Sequence, residues 1–128
     1  DNETNWLDWE TANQSERREL TDYVAGLIRL RREHPALRLA RRDTVELLPV
    51  RGPSALALHL QAGGDELLVL VNASQRRETT FTLPGGRWRV LADHRRAEPN
   101  GSASGVREGE TTLPPLCGHL LAPEPTLP

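Results

Sequence analysis

Carboxylates and indole rings crowd the first ten residues. Asp1, Glu3, Asp8 and Glu10 stand there beside Trp6 and Trp9, two of the three tryptophans in a chain of 128 residues. Two carboxylates held close together can serve as acid and nucleophile across a scissile bond. An amphipathic aromatic face, in turn, suits the C–H surface of a sugar ring. Each feature also has a plainer meaning. Short acidic side chains cap loops and helices or pair with arginine, and tryptophans plug a loop against an apolar wall. The plainer meanings are favoured: Asp8 as a cap or an arginine partner, Trp6 and Trp9 as plugs. A substrate-proximal role for these three residues stays open beside them.

Elsewhere the chemistry thins. Cys117 is the single cysteine, which excludes an internal disulfide and a multi-thiolate zinc site. Cys117 and His119 alternate as strand residues do, with no acidic residue beside them to orient a catalytic imidazole. Gly63-Gly64 and Gly85-Gly86 belong to hairpins and open no helix, so no phosphate cradle is expected. All sixteen basic residues are arginine, clustered at Arg29/Arg31/Arg32, Arg41/Arg42, Arg76/Arg77 and Arg95/Arg96. Acidic residues are interspersed and the net charge is −2, so the clusters read as solvated surface and nucleic acid is not an expected partner. No run approaches the roughly 18 apolar residues of a membrane span, and no basic-then-apolar signal opens the chain. No metal or other cofactor is implied, and the cysteine usage suits a reducing cytoplasm.

The elements that must position these residues follow from periodicity. Residues 11–17 are polar and predict a loop with Ser15 as N-cap. Leu20, Tyr23, Val24, Leu27 and Ile28 then recur at helical spacing, with Leu30 widening the stripe. Pro35 should end the helix at about Glu33 or His34. Arg31 projects into the middle of the apolar stripe. A buried guanidinium is costly unless paired, so Arg31 either escapes at the helix end or, the favoured outcome, meets a carboxylate or terminal carbonyls.

After Ala40 the period becomes two. Strands are predicted at Val45–Val50 and at Ser54–Leu60, where Leu56, Leu58 and Leu60 share one face. A third is predicted at Glu66–Asn72, apolar throughout as in a central strand covered on both sides. Glu78–Leu83 and a strand in which Trp88, Val90 and Ala92 share a face should follow, joined by a hairpin at Pro84-Gly85-Gly86-Arg87. A long exposed connection over 93–109 leads to Glu110–Leu113 and Cys117–Ala122, separated by Pro114-Pro115, and the tail should be disordered. Short strands with turn signals and no helix after Pro35 predict an antiparallel β-sandwich.

Two stretches carry a resemblance. The opening DNETNWLDW (Asp1, Asn2, Glu3, Asn5, Trp6, Leu7, Asp8, Trp9) resembles the segment after the eighth barrel strand of bacterial glycogen debranching enzymes and isoamylases, in the α-amylase superfamily. LIRLRREHPALR (Leu27–Arg38) is similar to the end of the last barrel helix there, and the order of strands matches the β-sandwich that follows the barrel.

The resemblance implies a mainly β fold: an antiparallel α-amylase-type C-terminal sandwich preceded by one amphipathic helix left over from a (β/α)8 barrel. Residues 1–38 would be the barrel remnant, 39–123 the sandwich and 124–128 a tail. It further implies a cytoplasmic bacterial parent enzyme that hydrolyses α-1,6 branch linkages of glycogen or limit dextrin. Its three catalytic carboxylates would precede this chain, which would then hold no catalytic residue and meet α-glucan only through the parent. Arg31, Pro35 and Trp88 would be structural. The expected partner is the missing barrel, and without it the bare helix should pack on its own sandwich or self-associate. The same region of an isoamylase or a trehalose-forming relative is an alternative. So is a free-standing carbohydrate-binding sandwich, which would need an exposed aromatic such as Trp88.

Overall fold

A computed structural model describes the backbone of residues 2–97 and 105–125, and the side chains of 14–97 and 105–125. Helix α1 runs unbroken from Asn2 to Glu33. The expected loop at 11–17 and the N-cap at Ser15 are therefore overturned. Neither Gly nor Pro occurs between Asn2 and Ala25, and Glu, Gln and Arg are good helix formers. Their polarity marks exposure instead, for residues 14–22 all face solvent. The helix ends where Pro35 demands: the N–H of His34 donates to Leu30 O at 3.0 Å, and proline has no N–H to continue. A single further turn, α2 (Pro35–Arg38), follows.

The six strands are β1 (Val45–Leu47), β2 (Ala55–Ala62), β3 (Asp65–Asn72), β4 (Thr79–Ala92), β5 (Val106–Leu113) and β6 (Cys117–Pro123). Among the described residues they form one antiparallel sheet in the order β1-β2-β3-β6-β4-β5. Three strand spacings separate β2 from β4, about 14 Å in a flat sheet. Yet the rings of His59 on β2 and Trp88 on β4 lie 6.0 Å apart. The sheet curls on itself, so that Ala57, Leu68, Leu70, Phe81, Trp88 and Leu121 meet in one inner core. Side chains alternate across β3 as expected: Leu68 and Leu70 join that core, while Leu67 lies in a second cluster on the outer face.

Two expectations for β4 fail at its bulges. The residues Pro84-Gly85-Gly86-Arg87 make no hairpin, because β4 continues through them. Thr82 pairs with Glu110 and Arg87 with Glu108, which leaves Leu83–Gly86 opposite Gly109. Gly86 and Gly109 adopt φ of 98° and 76°, values open to glycine, and the Trp88 indole N–H closes the bulge by donating to Pro84 O at 3.0 Å. Further on, Val90 pairs with Leu121 and Ala92 with Leu120, so Leu91 is an extra residue. Trp88 and Val90 share the inner face, but Ala92 is shifted to the outer cluster beside Leu91.

Other boundaries move less. β1 stops at Leu47, and β5 begins at Val106, which shortens the expected connection; residues 98–104 lie outside the described residues. The first tail residue, Glu124, is held against β4: its N–H donates to Arg87 O at 2.7 Å and its carboxylate lies 3.3 Å from Arg89 Nε. That ion pair lacks hydrogen-bond alignment at both atoms. Residues 126–128 lie outside the described residues.

Candidate functional site

The N-terminal motif cannot be built into a site: Asp1, and the side chains of Trp6, Asp8 and Trp9, lie outside the described residues. What the structure does show is how the helix that carries the motif is mounted. At 100° per residue, Tyr23, Gly26 and Leu30 fall on one side of α1. Leu20, Val24, Leu27 and Ile28 form an adjacent stripe with Arg31 at its centre.

Among the described residues, the first side makes the buried contacts with the sheet, and Leu27 of the second stripe only edges a cleft against β3 and β6. Leu30 is 1% exposed and packs with Leu60, Leu67, Leu91, Ala92 and Ala122 on the outer face. Gly26 abuts Ala97 so closely that a Cβ there would lie 2.2 Å from the Ala97 carbonyl oxygen. The Tyr23 hydroxyl donates to Asp93 O at 2.7 Å, and burial first, then the Asp93 carboxylate, pushes its pKa up.

At the foot of the helix sits a polar clasp. His34 Nδ1 lies 3.2 and 3.1 Å from the two carboxylate oxygens of Asp65, and the Ala36 N–H donates to Asp65 Oδ2 at 3.1 Å. Asp65 opens β3 just after the Gly63-Gly64 turn, against which Pro35 packs. One carboxylate thus ties the end of α1 and the start of α2 to the β2–β3 hairpin. Neither His34 nor Asp65 stands out in the sequence, because about thirty residues separate them and neither belongs to a periodic pattern.

The adjacent stripe is bare. Leu20 is 62% exposed, Ile28 48% and Val24 44%. Arg31 is exposed with them and has no hydrogen bond or ion pair among the described residues, so the expected partner is absent. The reason is geometric: the stripe in which Arg31 sits is not the side that the sheet buries. The guanidinium that reaches a terminal carbonyl of α1 is that of Arg38, donating to Arg32 O at 2.6 Å.

Trp88 is 2% exposed and Phe81 likewise, so neither offers a ring face to a ligand. His59 lines a cleft of about 600 Å3 between β4 and the segment from Glu46 to Arg51. Its Nε2 is 2.5 Å from Glu66 Oε2 and its Nδ1 3.9 Å from Glu46 Oε2. Cys117 meets His94 Nδ1 at 3.6 Å rather than His119, and burial, then Asp93, pushes its thiol pKa up. A thiol held protonated is a poor nucleophile. His119 is 9% exposed with Nδ1 buried and unpartnered, and burial first, then the charge of Arg107, holds its pKa below 6.5. Among the described residues no three His, Cys, Asp or Glu side chains are grouped to hold a metal ion.

No family model matches the chain. A glycogen debranching enzyme of Serratia proteamaculans is 38% identical over 105 residues, covering 72% of this chain and 15% of that protein. Another, of Dickeya chrysanthemi, is 32% identical over 125 residues, covering 87% of this chain and 17% of that protein. By sequence the chain belongs with the bacterial glycogen debranching enzymes. It spans only 15–17% of the length of these two curated relatives. The fold agrees: a pullulanase from Bacillus acidopullulyticus superposes with a TM-score of 0.70 over 87% of this chain and 14% of that one, at 20% identity. The chain is thus mainly β, antiparallel, with a preceding helix, as the sequence predicts.

Proposed function

We propose that this segment is the C-terminal part of a glycogen debranching enzyme: the last helix of the catalytic barrel within 1–38, and a structural β-sandwich over 39–123. The parent would be a cytoplasmic glycoside hydrolase that cleaves α-1,6 branch linkages of glycogen or limit dextrin by double displacement. Its nucleophile and general acid would lie ahead of Asp1, about 5 Å apart as in retaining enzymes. The segment itself would do no chemistry. Its work is to hold α1 in place while α1 offers Leu20, Val24, Leu27 and Ile28 to the preceding polypeptide.

One observation carries this reading: α1 is fixed to the sheet along one side while an apolar stripe beside it stays bare. An apolar stripe of this kind marks a surface made to be covered. The match leaves 83–85% of these two relatives' length (100 − 17 and 100 − 15) outside it, polypeptide that could cover such a stripe. A free-standing carbohydrate-binding module fits less well, because Trp88 and Phe81 are buried.

The test is expression of the full coding region beside the present chain alone, both assayed on limit dextrin. The full protein should release linear chains and the segment should release none. Hydrolysis by the segment, or a full protein inert on branched glucan, would overturn the assignment. Tight α-glucan binding by the segment would favour the binding-module reading.

A further inference from the structure

We draw no further inference here: the strongest candidate, the cleft of about 600 Å3 between the first half of β4 and the segment from Glu46 to Arg51 with His59 in its lining, carries nothing because nothing in the structure shows what would fill it.

Discussion

The two sides of α1 look alike in the sequence and differ completely in the fold. Toward the sheet, Tyr23, Gly26 and Leu30 are matched to particular atoms: a carbonyl for the hydroxyl, a carbonyl against the missing side chain, and a leucine-lined socket. On the adjacent side, Leu20, Val24 and Ile28 are apolar yet touch solvent. Helical periodicity reports that a helix has an apolar arc. It does not report how many surfaces share that arc. Gly26 is the residue that separates the two cases, since it is useless to a solvent-facing stripe and decisive at a close approach.

The comparison can be broken from the sheet side first. Leu30→Ala should cost about 3 kcal/mol, within the range for deleting a buried leucine, whereas Leu20→Ala should cost under about 0.5 kcal/mol. Urea unfolding of the two variants checks this, and equal losses would show that the sides are not distinct. Asp65→Ala should cost about 2 kcal/mol, because the Ala36 N–H and the His34 ring both lose their acceptor. If its unfolding midpoint matched the parent chain's, the clasp would be ornamental.

A smaller effect comes from His119, in the sheet itself. Its folded pKa is depressed, so the unfolded chain takes up the proton first as pH falls. Its contribution is present above about pH 6.5 and is lost on acidification toward the folded pKa. Melting temperatures at pH 7.5 and 5.5 should differ more for the parent chain than for His119→Leu; identical differences would sink the idea. The smallest change in stability should come from the bare stripe. A Leu20→Gln/Val24→Gln/Ile28→Gln variant should melt within a few degrees of the parent. It should nonetheless lose the concentration-dependent self-association that we expect of the segment on its own, read by light scattering after gel filtration.

Some of this was open to inspection in the sequence, for physical reasons. Pro35 ends α1 because its missing N–H and rigid φ act locally, and β3 reads as central because both faces of ELLVLV are apolar. The misses share another cause. Gly85-Gly86 is compatible with a turn or a bulge, and the choice depends on Gly109 in a strand it meets only after folding. A partner is expected for Arg31 because it sits in an apolar stripe, and which stripe is buried is a tertiary fact. The clasp of His34 and Asp65 joins residues that no local pattern links. For the candidate site, the buried state of Trp88 follows from its alternation with Val90, whereas the pairing of Cys117 with His94 comes from the chain's return beside β6.

The continuity of β4 has a consequence for how the domain comes apart. One backbone of fourteen residues, pinned by β5 along most of its length and by β6 at its far end, supplies the inner core from both halves of the strand, with Phe81 and Leu83 before the bulge and Trp88 and Val90 after it. Neither half can open alone without dragging the strand out of the other. Amides of β4 on either side of the Leu83–Gly86 bulge should therefore exchange with deuterium at one common rate under native conditions, set by global opening. Had the glycines made a hairpin, the sheet would have had a seam there, and exchange would run in two steps.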